Sequence, residues 1–104
     1  MADTKPINLE RITNVLREHK LELKEKYGIK EIGIFGSYVR KDQKKDSDLD
    51  ILVEFEKDTK MGLLRFINLQ NYISDFLGVK VDLVSKKALK PRIGKHILRE
   101  VIYL

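Results

Sequence analysis

The chain of 104 residues contains no cysteine and no tryptophan, and it has only two prolines. Without cysteine it can form neither a disulfide framework nor a thiolate metal site. No uncharged apolar run approaches the roughly 20 residues that a membrane-spanning helix needs. The first ten residues, MADTKPINLE, carry charges and a proline where a signal peptide would have an apolar core. We therefore expect a soluble, cytoplasmic protein.

Composition indicates one folded unit with a modest positive charge. Hydrophobic residues make up 42% of the chain, enough for one buried core at this length but not for two. We therefore expect residues 1–104 to form a single domain. The net charge of +5 favours polyanionic partners such as nucleotides, RNA or an acidic protein surface. Most basic residues alternate with acidic ones on predicted helices, however, so a solvated surface of mixed charge explains them better.

Periodic apolar residues predict alternating helices and strands. The spacing predicts an amphipathic helix over 9–27, with Asn8 as its N-cap and Gly28 at its end. The other predicted elements are strands over 29–35, 48–55 and 79–85, a helical turn over 37–40, and helices over 61–77 and about 91–99. We therefore predict an α/β (α+β) fold in which helices pack on a small β-sheet.

Two of these helices carry specific burial expectations. The helix over 61–77 is so dense in apolar residues that it should be largely buried. The last helix should direct Ile93, Ile97 and Leu98 inward.

Aspartates interrupt two of the predicted strands, where carboxylates desolvate poorly and pack little. Asp48 and Asp50 are two residues apart, so on a strand both side chains leave the same face. Asp82 interrupts the apolar segment KVDLV in the same way. A strand end or turn would explain any one of them, but three together would repel one another without cations. Carboxylates are the hard ligands that Mg²⁺ selects, and two such ions can support phosphoryl or nucleotidyl transfer.

A calcium-binding loop is a competing interpretation, because Asp46, Asp48 and Asp50 match its first three ligand positions. The glycine that this loop requires is replaced by Ile51, and its final glutamate is replaced by Lys57. The calcium loop is therefore rejected.

Gly36 and Ser37 follow the first predicted strand directly. Glycine allows close approach of a ligand to the backbone, and serine at the start of a helical turn can offer its hydroxyl and free N–H groups to a phosphate. Taken alone, the pair is better explained as a strand-to-helix turn. Ten residues separate Ser37 from Asp48, enough for a short helix and a return to the neighbouring strand, so both motifs could face one cleft.

The segment GSYVRKDQKKDSDLDILVEF resembles the signature of the DNA polymerase β-like nucleotidyltransferases, a Gly-Ser followed about ten residues later by Asp-x-Asp. It is most similar to the minimal nucleotidyltransferases, the MNT antitoxin-type proteins. The similarity continues through KVDLVSKKALKPRIGKHILREVIYL and so covers nearly the whole chain. Family members often have alanine, arginine and glycine after Gly-Ser-x, where this chain has Val39, Arg40 and Lys41.

The resemblance implies a polymerase β-like nucleotidyltransferase fold and a set of site roles. Gly36 and Ser37 would hold the triphosphate of a bound nucleotide, and Arg40 would steady its phosphates or form an ion pair. Asp48 and Asp50 would bind two Mg²⁺ ions, and Asp82 would complete the site of the ion that activates the attacking hydroxyl.

The resemblance also implies a reaction and a partner. Family members transfer AMP or another nucleoside monophosphate to a hydroxyl and release pyrophosphate. MNT proteins of this size typically neutralise a HEPN ribonuclease toxin by adding AMP from ATP to a tyrosine. Because the chain is too short for further substrate-binding domains, either the partner supplies its own docking surface or two copies build the site together.

Two other functional classes remain as alternatives. A non-catalytic antitoxin or regulatory subunit would mask its partner by contact alone. An RNA-binding module is suggested by the formal GXXG of residues 33–36, as in KH domains, but Ile34 and Phe35 look like core residues of a strand. We therefore do not expect direct binding of nucleic acid, and Mg²⁺-dependent adenylyl transfer is the preferred function.

Overall fold

The computed structural model describes residues 8–44 and 46–104. The elements along the chain are α1 (Leu9–Tyr27), β1 (Ile29–Phe35), α2 (Ser37–Arg40), β2 (Leu49–Phe55), α3 (Leu63–Leu77), β3 (Val81–Ser85), a 3₁₀ turn (Lys86–Ala88), α4 (Pro91–Glu100) and β4 (Ile102–Tyr103). The segment 1–7, which bears on the expectation that there is no signal peptide, lies outside the described residues.

The bounds of α1 confirm the prediction for both ends of this helix. The Asn8 side chain accepts a hydrogen bond from the Arg11 N–H at 2.9 Å, as an N-cap does. Gly28 ends the helix in the left-handed conformation, with φ 71°, and its N–H donates to the Lys24 carbonyl. Local capping chemistry therefore sets both ends of α1.

The four strands form one mixed sheet in the order β3-β2-β1-β4. β1 pairs antiparallel with β2 and with β4, whereas β2 pairs parallel with β3. This confirms the predicted architecture of a small sheet with packed helices. The strand β4 was not predicted, because its two residues are too few to show an alternating pattern.

The hydrophobic core lies on one face of this sheet, beneath α1 and α3. The helices contribute Ile12, Leu16, Leu23, Leu69, Ile73 and Leu77, and the strands contribute Ile32, Ile34, Leu49, Ile51, Val53, Val81 and Leu83. Because side chains alternate along a strand, Asp50 and Asp82 leave the opposite face from these core residues. The core therefore supports the aspartates from behind.

The burial predictions for the last two long helices were wrong. In α3 the buried stripe consists of Leu69, Ile73 and Leu77, whereas Leu63 and Leu64 are 77% and 74% exposed. A helix that covers one face of a single sheet buries one side only, so apolar density alone overstates burial.

In α4, Ile93 and Leu98 are 57% and 44% exposed instead of facing inward, and Ile97 is half-buried. The buried residue is Gly94, where an added Cβ would lie 3.3 Å from the Leu89 Cβ. The buried residue of α4 is therefore its smallest, which lies against Leu89 of the preceding segment.

The structure removes the motif that suggested an RNA-binding module. The GXXG tetrapeptide of residues 33–36 runs along the end of β1, and Ile34 and Phe35 are buried there. A nucleic-acid clamp of this type needs an exposed loop.

Within the described part of the chain, no helix is both long enough and apolar enough to cross a membrane.

Lys41 ends α2 in the left-handed conformation, with φ 62° and ψ 29°. This is the position at which the resembling family often has glycine. A side chain with a Cβ costs roughly 1–2 kcal/mol in this conformation. The structure thus supplies a backbone reason for the family's glycine.

We predict that Lys41→Gly raises the free energy of unfolding by roughly 0.5–1 kcal/mol, because relief of left-handed strain exceeds glycine's greater loss of chain entropy. Chemical denaturation would measure the change. Lys41→Ala is the control, since it removes the charge but keeps the Cβ, and it should give no such gain. Equal stabilisation by both variants would contradict the conformational explanation.

Candidate active site

Asp50 and Asp82 are directly paired in register between the parallel strands β2 and β3. Adjacent strands lie about 4.8 Å apart, and residues in register direct their side chains to the same face. Asp48 immediately precedes β2 and is half-buried, whereas Asp82 is exposed. The two strand-borne aspartates therefore meet on one face of the sheet, as the sequence predicted.

Gly36 brings the turn after β1 against Asp50. Its φ of 82° and ψ of −154° fall in a region that is essentially restricted to glycine. A Cβ built on Gly36 would lie 2.0 Å from Oδ2 of Asp50. Since no side chain fits in that space, glycine is required both for the backbone conformation and for close contact with the carboxylate.

The turn then leads into α2, for which Gly36 is the capping residue. The Gly36 carbonyl accepts hydrogen bonds from the N–H groups of Val39 and Arg40 at 3.0 and 3.1 Å. Ser37 begins the helix and is half-buried beside the same turn. Gly36 of the Gly-Ser motif therefore lies directly against Asp50 of β2, and Ser37 follows it at the start of α2.

Electrostatic repulsion and burial act together on Asp50. Burial is the largest cause that raises its pKa, followed by the negative charges of Asp82 and Asp48, and the pKa reaches about 6 from an ordinary 3.8. Arg40 opposes this shift and Glu100 adds to it. Negative charge is therefore concentrated around Asp50, and Arg40 compensates only part of it.

The donor set suits a hard divalent cation. Carboxylate oxygens are the ligands that Mg²⁺ prefers, and the raised pKa of Asp50 reflects charge that a cation would neutralise. Among the described residues, no group of three or more acidic, histidine or cysteine side chains is arranged so that it could hold a metal ion. The roles of Asp48, Asp50 and Asp82 as metal ligands therefore remain predictions.

Sequence reasoning missed Glu100, the last residue of α4. Its Oε2 accepts a hydrogen bond from the Gly36 N–H at 2.8 Å, and its Oε1 accepts one from Nη1 of Arg40 at 2.7 Å. Arg40 also donates from Nε to Asp42 at 3.3 Å. The ion pair expected for Arg40 is thus formed with Glu100, which lies 60 residues away in sequence and carries no spacing signal.

Comparison with known proteins shows the family of this chain. The model of the nucleotidyltransferase domain family matches residues 16–104. A protein adenylyltransferase MntA of Thermococcus cleftensis is 52% identical over 98 residues, which cover 94% of this chain and 97% of that protein. The chain therefore belongs to the nucleotidyltransferase family, and it is an enzyme of the nucleotidyltransferase class.

Solved structures show the same fold. A chain described as a minimal nucleotidyltransferase superimposes on this one with a TM-score of 0.76 and 38% identity, over 96% of this chain and 99% of that one. An MNT antitoxin in complex with a tri-AMPylated HEPN toxin of Shewanella oneidensis gives a TM-score of 0.58 and 19% identity, over 90% of this chain and 66% of the matched one. The family fold that the sequence resemblance implied is thereby confirmed.

We predict that Gly36→Ala lowers the free energy of unfolding by roughly 2–4 kcal/mol, because the methyl group adds overlap with Asp50 to backbone strain. Thermal or chemical denaturation would measure this loss. Gly78→Ala is the matched control: its φ is also positive, at 72°, but no atom lies within 4 Å of the added Cβ. It should cost only about 1 kcal/mol. Equal losses would contradict the proposed packing of Asp50 on Gly36.

We also predict that Asp50→Asn stabilises the metal-free protein at pH 7. Because the pKa of Asp50 is raised to about 6 on folding, the folded state binds more protons than the unfolded state between pH 3.8 and 6. The free energy of unfolding therefore falls as the pH rises through this window. Neutralising the side chain should recover on the order of 1 kcal/mol, since solvent screens a half-buried carboxylate.

Denaturation in a chelator at pH 7 and at pH 3.5 would measure this difference. The gain should largely disappear at the lower pH, where Asp50 is mostly protonated in both states. Asp75→Asn, on the exposed side of α3, should change stability little at either pH. A gain that persisted at pH 3.5 would contradict the electrostatic explanation.

Proposed function

We propose that this nucleotidyltransferase is a protein adenylyltransferase, which transfers AMP from ATP to a tyrosine hydroxyl of a HEPN-type toxin and thereby acts as its antitoxin. The observation that carries the proposal is the in-register pair Asp50 and Asp82, of which Asp50 packs against Gly36. The names of the related proteins support the choice of adenylyl group and partner.

The transfer exchanges one phosphorus–oxygen bond for another. The tyrosine oxygen forms a bond to the α-phosphorus of ATP, the bond from that phosphorus to the bridging oxygen of the β-phosphate breaks, and pyrophosphate leaves with the electron pair. The proton of the tyrosine hydroxyl is released to solvent water, so that atoms and charge balance. Such a reaction depends mainly on the alignment of the reacting groups and on neutralisation of charge.

Different residues of this chain would bind the phosphates and the metal ions. Gly36 and Ser37 would receive the phosphates, since the glycine permits close approach and the serine starts a helical turn. Arg40 would add a positive charge at the same turn. Asp48, Asp50 and Asp82 would hold Mg²⁺, and bound Mg²⁺ would supply neutralisation of charge on the phosphates and lower the pKa of the attacking hydroxyl.

The pattern of charge favours an enzyme over a protein that only masks its partner. A masking surface gains nothing from a desolvated carboxylate beside two others, because that repulsion lowers stability at neutral pH. The burial and repulsion that raise the pKa of Asp50 are therefore better explained by a site that binds a cation, which would offset them. The non-catalytic antitoxin is the outcome to be distinguished by experiment.

The test combines the purified chain, ATP, Mg²⁺ and a cognate HEPN-type partner. We expect the partner to gain the mass of AMP on a tyrosine, as detected by intact-mass and peptide mass spectrometry. Asp48→Ala and Asp50→Ala should each reduce the rate on the order of 100-fold or more. Each aspartate would help to hold the Mg²⁺ that neutralises phosphate charge, and that neutralisation contributes several kcal/mol. Chelation of Mg²⁺ should have a similar effect.

Asp75→Ala provides the control for removal of an aspartate, because this residue is exposed on α3 and away from the paired strands. It should leave the rate unchanged. If the partner is bound and silenced without gaining AMP, adenylyl transfer is wrong and the non-catalytic antitoxin replaces it.

A further inference from the structure

The Glu100 carboxylate links the C-terminal helix to the turn after β1. Its two oxygens accept separate hydrogen bonds, one from the Gly36 N–H and one from the Arg40 guanidinium. The Glu100 side chain is only 21% exposed, compared with 53% for Arg40. Hydrogen bonds between ionised groups are among the stronger ones in proteins, and partial burial protects them from competition with water.

This contact completes the hydrogen bonding of the Gly36 main chain. Glu100 accepts a hydrogen bond from the Gly36 N–H, and the Gly36 carbonyl accepts hydrogen bonds from the first turn of α2. The glycine-only conformation of Gly36 persists only where the surrounding contacts hold it. Glu100 is thus one of the groups that define the turn.

The chain holds Glu100 firmly on both sides. The preceding helix ends with a hydrogen bond from the Val101 N–H to the Ile97 carbonyl. The residues that follow form β4, which pairs with Gly33 and Ile34 of β1. Since β1 leads directly into the Gly36 turn, the carboxylate and its two donors belong to one hydrogen-bonded unit.

The position of Glu100 carries an electrostatic cost. Its negative charge repels Asp50, which already faces Asp48 and Asp82. An ion pair that served stability alone would gain more at a distance from three other carboxylates. A role in the organisation of the site explains this placement better.

We infer that Glu100 is a positioning residue, which holds the Gly36–Ser37 turn and the Arg40 guanidinium in the arrangement that receives nucleotide phosphates. The inference rests on the proposed function, because it takes a nucleoside triphosphate as the ligand of that turn. In the opposite role, the Glu100 carboxylate would occupy the position of a nucleotide phosphate and would have to move away before the nucleotide binds. The two roles predict changes in affinity of opposite sign.

The decisive variant is Glu100→Gln, which keeps the shape of the side chain. Glutamine is uncharged and has an NH₂ donor group in place of one oxygen, so it cannot accept from Gly36 and Arg40 on two separate atoms as Glu100 does. We expect the affinity for a non-hydrolysable ATP analogue with Mg²⁺, measured by calorimetry, to fall about tenfold. The KM for ATP should rise by a similar factor, while kcat falls less.

Two controls separate positioning from general destabilisation. Glu25→Gln makes the same change of charge on the exposed surface of α1 and should leave nucleotide affinity unchanged. In an Arg40→Gln background, Glu100→Gln should weaken binding by a smaller factor, since one of its two partners is already lost. A purely structural effect would instead be the same in both backgrounds.

The outcomes distinguish this inference from the proposed function. Tighter binding or unchanged binding by Glu100→Gln would overturn the positioning role, even if AMP transfer by the unmodified chain proceeds. If Glu100→Gln weakens binding but no AMP reaches the partner, the positioning role stands and the proposed reaction fails. An unmodified chain that binds no nucleotide would overturn both.

Discussion

The close approach of the Asp50 carboxylate to the backbone of Gly36 is the constraint on which the site depends. An added Cβ would fall 2.0 Å from the carboxylate oxygen, so the turn after β1 can lie against β2 only if this residue is glycine. That approach brings the Gly-Ser turn beside the central aspartate of the site. It also removes solvent from Asp50, which is the largest cause of its raised pKa.

The site is held together at an electrostatic cost that the rest of the fold offsets. Asp50 stands between Leu49 and Ile51, two fully buried core residues of β2, so its backbone cannot shift to relieve repulsion without loss of packing. The parallel pairing of β2 with β3 then brings Asp82 beside it. The rigid core thus holds Asp50 and Asp82 close together although their negative charges repel each other.

The C-terminal segment contributes more to the site than its exposed apolar residues suggest. Glu100, the last residue of α4, accepts a hydrogen bond from the Gly36 N–H. The short strand β4 then closes the edge of the sheet against β1. These contacts join sequence-distant parts of the chain, which explains why neither Glu100 nor β4 was predicted.

The sequence by itself determined the local features of this protein. Helix α1 runs between the capping residues Asn8 and Gly28, and the alternating pattern of β2 separates core residues from aspartates, because both effects depend on neighbouring residues. The Gly-Ser and Asp-x-Asp spacing also indicated the family. Only the tertiary structure decided the register of Asp50 with Asp82, the exposure of Leu63 and Ile93, and the partners of Glu100. Those features depend on how distant elements pack, and periodicity along one segment carries no information about the surface that it meets.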